Sequence, residues 1–392
     1  MKIVLVLSSP PGYSETFFRS KIKGLQAQGH ELILVTGPSQ RSFDLCKHIK
    51  HPKRYQNVLL QLGALLWVLL GLLPYASKLY RYWQLERKQQ TQPKRILEKI
   101  YLNARLLRCQ ADWLHFGFAS MALDRELVAE AIGAKMAVSL RGYDIGVYPL
   151  KHPQAYDLLW QKVDKLHVIS DDLYQLAIAR GLKPETKVQK ITPAIDVHMF
   201  RHHSILPLRQ KGKLKLLSVG RLHWKKGFAD TLRALQILKA KGVDFTYTII
   251  GEGKEYERLA FNAYELGLKD QVVFLGKKSR EEVKQAMLAC DLYLQYSIQE
   301  GFCNAVLEAQ ALGKLCIVSD AEGLPENVRH EQTGWVVPRF QTMQLAAQIV
   351  QVCALPESQR QQVQQQAQQR VQSQFNLEQQ QQAFQQFYTQ AL

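Results

Sequence analysis

The sequence predicts an α/β protein of two Rossmann-like, doubly wound domains, and three observations carry that expectation. Short aliphatic runs alternate with stretches whose apolar residues recur at helical spacing. The alternation occurs twice, once from the N-terminus and again from about Lys213. The 392 residues are too many for one ordinary core, and 46% apolar against 22% charged residues is a folded composition.

The opening "KIVLVLSS" reads as a buried strand over Ile3 to Leu7, because its apolar run stops at serine and proline too early for a signal peptide. A helical stretch through Phe17, Ile22 and Leu25, a turn at Gly29-His30 and the run "ELILVTG" complete a parallel unit. "AVSL" (137–140) and "KLHVIS" (165–170) extend that sheet. The second set of strands is "KLKLLSVGRL", "FTYTIIGEG", "VVFLG", "DLYLQYS" and "KLCIVSD", with helices between them. The stretch 201–213, "RHHSILPLRQKGK", is polar and basic with a proline, and reads as the linker. In the glutamine-rich tail Val363, Ala367 and Val371 recur at four-residue steps, so a helix with one apolar stripe is expected. The expected domains are 1–205 and 206–370, followed by a C-terminal helix, 371–392, able to pack back on the first domain.

Lysine and arginine outnumber the acidic residues 51 to 34, a net charge of +17. Such a surplus attracts nucleic acid, nucleotide phosphates or an acidic membrane face, unless it is simply a solvated surface. No recognition-helix motif or aromatic-interleaved basic strand is present, so nucleic acid is not expected as a partner. The six cysteines (Cys46, Cys109, Cys290, Cys303, Cys316, Cys353) are far apart, with no C-x-x-C pair. That usage fits reduced thiols in a cytosolic protein, not disulfides or structural zinc. The segment 58–76, "VLLQLGALLWVLLGLLPYA", is apolar except for Gln61. Lys53 and Arg54 precede it, and Lys78, Arg81, Arg87 and Lys88 follow. Three readings stand: a membrane span of borderline length, a helix in the membrane interface, or a buried helix. A span would sever the first strands from their own sheet.

In 218–232, "SVGRLHWKKGFADTL", a strand ends at Gly220, and Arg221 and Lys226 follow before a helix begins. Ligands bind at strand C-termini in open α/β sheets, and a planar fork beside a point charge suits a diphosphate. The alternative is two solvated cations. In 299–313, "QEGFCNAVLEAQALG", Glu300 lies just past a strand and Glu308 about one turn inside the next helix, with Asn304 as its expected cap. A carboxylate only accepts hydrogen bonds, so hydroxyls are its natural partners. Phosphates on the cations and helix amides, with hydroxyls on the carboxylates, is the layout of a nucleotide sugar. Otherwise Glu308 is a surface residue and Glu300 merely favours the helix dipole. "GEGKEYE" (251–257) resembles a dinucleotide fingerprint but lacks its third glycine, which argues against a dehydrogenase.

"SVGRLHWKKG", "IIGEGKEYERL", "VVFLGKKSREEV" and "QEGFCNAVLEAQALGKLCIVSDAEGLPENVRHEQTGWVV" occur in that order. Together they resemble the donor half of the GT-B glycosyltransferases of the group 1, or family 4, type. "PPGYSETFFRSKIKGLQAQGHELILVT" is similar to the opening of its colanic-acid and amylovoran exopolysaccharide branch, and "LHFGFAS", "SLRGYDI" and "HVISDDLYQLAIARG" resemble its acceptor-domain segments. The resemblance spans nearly the whole chain and is weakest over residues 40–95. It implies two domains facing each other across a cleft and a retaining hexosyl transfer from a nucleotide diphosphate sugar, with no cofactor and no divalent metal. The acceptor it implies is a glycan or a polyprenyl-linked one, met at the cytoplasmic face of the cell membrane.

Residue by residue, the resemblance implies that Arg221 and Lys226 hold the diphosphate, Glu300 meets the donor sugar and Glu308 holds ribose hydroxyls. Gly301, Phe302, Cys303 and Asn304 form the loop whose backbone meets sugar and phosphate. Gly12, Gly220 and Gly251 also lie on the donor side. Glu15, His115 and Asp144 are acceptor-side candidates, although a histidine at a strand end also serves as a satisfied core residue. Where many relatives have histidine in an H-G-x-D segment, this chain has Arg141 in "RGYD". Arginine cannot act as a base at neutral pH, so Arg141 is expected to bind charge, either oriented by Asp144 or in a structural pair with it. Cys303 stands where proline is frequent. The alternatives of another class are a GT-B-fold nucleotide-sugar epimerase and a basic membrane-surface binding protein.

Overall fold

The computed structural model describes residues 1–12, 16–201 and 212–390. They form two units, Met1–Ile191 with Gln381–Leu392, and Thr192–Gln380. Among the described residues each unit is built on one parallel sheet.

The strands of the first unit are β1 (Lys2–Leu7), β2 (Glu31–Thr36), β3 (Lys47–Lys50), β4 (Trp113–Phe116), β5 (Lys135–Ser139), β6 (Lys165–Val168) and β7 (Lys187–Lys190). Across the sheet they run β3-β2-β1-β4-β5-β6-β7. The central strands are buried on both faces: Ile3, Leu5, Leu34, Leu114 and Val138 are essentially inaccessible. That explains why they read as unbroken aliphatic runs. Sequence reading named β1, β2, β5 and β6 as strands; it did not list β4, and it missed β3 and β7, the two edges. "KHIK" and "KVQK" each carry one aliphatic residue among cations, the usual protection of an edge strand against further pairing.

The second unit has β8 (Leu214–Val219), β9 (Phe245–Ile250), β10 (Val272–Phe274), β11 (Leu292–Gln295), β12 (Leu315–Ser319) and β13 (Trp335–Val337). Their order is β10-β9-β8-β11-β12-β13. In both sheets the chain first builds outward in one direction, then returns to the centre and builds in the other. The reversal falls between β1 and β4 in one unit and between β8 and β11 in the other. Connections leave such a point to opposite sides, so a crevice opens at the strand ends.

The units part at Ile191/Thr192 and Gln380/Gln381 rather than at 205/206 and 370/371. Packing explains the difference. Ile195 N–H donates to the Phe375 carbonyl (2.9 Å), and Gln380 Nε2 to the Thr192 carbonyl (2.7 Å), so the segment after β7 belongs with the end of the glutamine-rich helix. That helix, Glu357–Gln374, buries Val363, Ala367 and Val371, the stripe read from sequence. The expected linker, 201–213, lies mostly outside the described residues.

The last helix, Leu377–Thr389, brings Phe384, Phe387 and Tyr388 into the first unit. They pack on Trp113 and on the rings of His115 and His167, with centroids 4.9–6.4 Å apart. These histidines belong to a buried polar chain whose proton positions follow from its end. The Ile191 carbonyl can only accept, so His167 Nε2 donates to it (2.9 Å). His167 Nδ1 then accepts from Ser139 Oγ (2.8 Å), whose oxygen accepts from His115 Nε2 (2.8 Å). His115 Nδ1 accepts from the Tyr388 hydroxyl (2.6 Å). Burial together with the charges of Lys21 and Arg141 pushes both rings well below the usual histidine range, which favours the neutral forms this arrangement uses. His115 is wholly inaccessible and is a member of this core.

Residues 58–76 form a helix, Val58–Leu70, a short turn and the start of a second helix, Ala76–Lys88. The axes meet at a 55° bend, and among the described residues no single helix is long and apolar enough to cross a membrane. Nor is Val58–Leu70 a buried core helix, since none of its residues is buried.

Removing an aromatic anchor from the last helix tests its contribution. Phe387→Ala should cost about 3–5 kcal/mol, the usual effect of emptying a buried aromatic site. The exposed neighbour Gln386→Ala should change stability by no more than about 0.5 kcal/mol. Urea unfolding followed by circular dichroism measures both.

Candidate functional site

The candidate site of the second unit lies at the strand ends flanking its reversal point. After β8 the chain passes Gly220 and the exposed Arg221, then makes a tight turn over Trp224–Lys226. His223 caps that turn by accepting from the Lys225 amide (3.3 Å). Gly227 follows with φ +64°, a left-handed conformation that disfavours side chains, and opens the helix Phe228–Ala240. A Cβ there would collide with the Tyr296 carbonyl at the end of β11. The glycine thus lets the loops after β8 and β11 lie against each other. Two hydrogen bonds tie them, from the Ile298 and Gln299 amides to the Lys225 carbonyl (2.7 and 3.1 Å). Beside them Gly251, φ +146°, has no room for a Cβ against the Gly220 carbonyl.

This clasp places Lys226 Nζ against Glu300 Oε2. Both side chains are about five-sixths covered, at 17% and 14% exposure, so water screens the pair poorly. Burial opposes the ammonium, but the Glu300 carboxylate outweighs it, and Lys226 is held above the usual lysine range. Lysine remains a full positive charge at neutral pH. Arg221 has no ion-pair or hydrogen-bond partner among the described residues, which leaves its planar fork available.

The helix expected after Glu300 is Asn304–Ala311, and its capping position is Cys303, not Asn304. Asn304 already has helical geometry, so its side chain cannot play the capping role. The Cys303 thiol lies near the Ala305 and Val306 amides without a capping hydrogen bond. It is buried, and burial with the nearby Glu300 charge pushes it up to about 12, an inert thiol. Sequence reasoning missed Asn327, which fixes the loop. Its Oδ1 accepts from the Cys303 amide (2.9 Å), and its Nδ2 donates to the Cys303 carbonyl (3.2 Å). The two bonds do for this peptide what a rigid residue such as proline does by covalent means. Asn327 lies 24 residues downstream, beyond the reach of any local spacing argument. Gly301 follows the clasp directly, and Phe302 turns into the core against Phe375 (5.6 Å), leaving only backbone for a ligand.

Glu308 sits one turn into the helix and is half-buried. Burial raises its carboxyl to about 7, with Arg280 pulling the other way. Its carboxylate has no hydrogen-bond partner among the described residues. Glu300 and Glu308 therefore differ: one is paired with an ammonium, while the other is raised by burial and has no such partner.

In the first unit, Gly12 lies in the loop after β1, and Glu15 lies outside the described residues. Arg141 precedes the short helix Gly142–Gly146, with its guanidinium over the rings of Phe17 (4.1 Å) and Phe18 (5.5 Å). The ion pair expected with Asp144 is absent among the described residues. Asp144 Oδ1 accepts instead from the Ser120 hydroxyl (2.8 Å) and amide (3.2 Å). Burial raises its carboxyl above the usual range, with the Ser120 hydrogen bonds and, more weakly, the Arg141 charge opposing.

Residues 204–370 match the family model described as glycosyl transferases group 1. The amylovoran biosynthesis glycosyltransferase AmsK of Erwinia amylovora is 31% identical over 60% of this chain and 59% of its own length. The putative colanic acid biosynthesis glycosyltransferase WcaL of Salmonella typhimurium is 30% identical over 60% of each. The chain thus matches about three fifths of the length of these curated relatives. The crystal structure of Anabaena Alr3699/HepE in complex with UDP and glucose superposes with a TM-score of 0.73 at 16% identity, covering 100% of both chains. The strand order and these matches agree: residues 204–370 are similar to the group 1 glycosyltransferases, and the chain has the GT-B fold.

Proposed function

We propose that this chain is a retaining glycosyltransferase of exopolysaccharide biosynthesis. It moves a hexosyl residue from a nucleotide diphosphate sugar to a glycan or lipid-linked acceptor, at the cytoplasmic face of the cell membrane. The observation that carries the reading is the Lys226–Glu300 pair at the reversal point of a group 1 domain. The relatives named for amylovoran and colanic acid synthesis support the pathway class, and the neighbour solved with UDP and glucose supports the donor class.

The chemistry follows from the charges. A departing nucleoside diphosphate gains negative charge as the glycosidic C–O bond breaks, and Arg221, Lys226 and the first amides of Asn304–Ala311 are preorganised to receive it. Glu300, paired with Lys226, accepts from the sugar's hydroxyls and stays beside the ammonium. The acceptor oxygen attacks the anomeric carbon on the face the diphosphate leaves, and its proton passes to the departing phosphate oxygen. The new bond keeps the original configuration. Arg141 cannot take that proton, and it serves as a fixed charge for an anionic acceptor. The protein's own cations do the neutralising that a divalent metal does elsewhere, so none is required.

Three results are expected. Glu300→Ala and Lys226→Ala should each reduce transfer at least about a hundredfold, roughly 3 kcal/mol of transition-state stabilisation, with unchanged circular dichroism. Near-normal rates in either variant, measured by release of the nucleoside diphosphate, overturn the site. Secondly, the neutral form of Glu308 is favoured in the free protein up to about pH 7. Native stability therefore falls as pH rises from the unfolded carboxyl range through that value. Ribose hydroxyls donating to Glu308 favour the ionised form, so nucleotide affinity should strengthen about tenfold from pH 6 to 8, with proton release on binding. Isothermal titration calorimetry reads both, and Glu308→Gln should flatten the profile. Finally, transfer should persist in excess EDTA, and loss restored by magnesium would contradict the charge assignment.

A further inference from the structure

The helix Val58–Leu70 is well formed but half-covered. Asn57 caps it, its side chain accepting from the Leu59 and Leu60 amides (2.9 and 3.1 Å). One side faces the first unit, where Val68 and Leu69 pack on the core and Leu72 just beyond is wholly buried. The opposite side is a stripe at four-residue intervals, Leu62, Leu66 and Leu70, exposed by 56%, 62% and 52%, with Leu59 at 79% and Trp67 at 77% beside it. Single exposed leucines are ordinary, but a continuous apolar stripe on a capped helix needs a cover.

The geometry points to a lipid bilayer with anionic headgroups as that cover: the Val58–Leu70 helix lies flat in the membrane interface, its leucine stripe and Trp67 in the acyl boundary. Charge supports this occupant. From Leu45 to Leu85 the chain carries six lysines and arginines and no carboxylate. Lys53 and Arg54 stand exposed before the helix, and Arg81 stands exposed after it. Chemistry separates a bilayer from a protein partner. Protein docking faces ring an apolar centre with hydrogen-bonding groups. This helix has Gln61 as its one polar side chain, and the Gln61 Oε1 is already occupied by the Tyr55 amide (3.0 Å). A tryptophan beside leucines, with cations flanking, is the composition of an interfacial helix. Length agrees: at about 1.5 Å per residue the helix is roughly 20 Å long, too short to cross a hydrocarbon core of about 30 Å. The 55° bend turns the chain away afterward.

This inference deepens the proposed function by naming the element that meets the membrane, but its test uses no catalysis and can fail while the transferase reading stands. The full chain is floated with vesicles of phosphatidylcholine, alone or with about a third phosphatidylglycerol. Wild type should bind the anionic vesicles at least about tenfold more tightly than the neutral ones. The double substitution Leu62→Asp with Leu66→Asp should lower binding to both by about tenfold or more, and Lys53→Glu with Arg54→Glu should remove mainly the anionic preference. A retained thermal shift with a nucleotide sugar, or an unchanged melting temperature, shows that the variants are folded. The milder pair Leu62→Ser with Leu66→Ser repeats the test should the aspartates unfold the chain. Three results overturn the inference: no flotation with either vesicle, flotation unaffected by the leucine substitutions, or light scattering showing a dimer that those substitutions dissociate.

Discussion

The clasp between the loops after β8 and β11 is the constraint on which the candidate site depends. Two adjacent parallel strands lead their connections to opposite sides, which opens a crevice but leaves the loop ends apart unless something joins them. Here the Lys225 carbonyl accepts two amides from the partner loop, and Gly227 gives up its side chain so that the Tyr296 carbonyl can approach. Only then do Lys226 and Glu300, 74 residues apart, become neighbours. Taking either charge out of water alone would be costly, whereas the pair offsets part of that cost, and Lys226 is held above the usual lysine range beside Glu300. A site that must hold an ammonium for phosphate and a carboxylate for hydroxyls thereby has both side by side before any ligand arrives.

The sequence showed the parts of this arrangement that depend on composition and hid those that depend on distant contacts. Buried central strands such as β1, β2 and β12 are unbroken aliphatic runs because both faces are covered, and no other element explains them. The edge strands β3 and β7 were invisible because edge protection replaces the aliphatic signal with lysines. Arg221, Lys226, Glu300 and Glu308 were legible because charge at the end of a strand stands out. Asn327 was not, since an asparagine in a loop carries no mark of the peptide it will hold. The errors share that cause. Asn304 was assigned the cap from residue type alone, although the helix begins one residue earlier in geometry. Asp144 was paired with Arg141 because opposite charges three positions apart suggest an ion pair, yet Ser120 supplies hydrogen bonds that sequence distance conceals.

The histidine chain of the first unit illustrates how a residue that looks functional is claimed by the core. His115 is the third of the four residues of β4, near the strand end where a ligand-facing group would be expected. Its ring is nonetheless fixed at both nitrogens, by Tyr388 and Ser139, and the tautomer is dictated by the Ile191 carbonyl at the far end. A ring so held has no proton to exchange and no lone pair to offer. Its role is to give the last helix a polar anchor among the aromatic contacts of Phe384 and Phe387, so that this amphipathic helix docks in one register. Arg141, by contrast, has its cation over the faces of Phe17 and Phe18, where ring electrons stabilise charge.

The apolar stretch at 58–76 shows why composition and geometry have to be read together. By composition it fits a membrane span, an interfacial helix and a core helix equally well. Among the described residues no single helix there is long and apolar enough to cross a membrane, the two helices reaching that length only as a pair bent by 55°, and the absence of any buried residue in Val58–Leu70 removes the last. What remains is set by which side faces the protein. Val68 and Leu69 hold the helix down, and that contact turns Leu62, Leu66 and Leu70 outward as a unit. A free peptide of this composition would have no preferred face, being apolar all round. The protein selects one by burying the other, and so converts a uniformly greasy segment into an oriented surface.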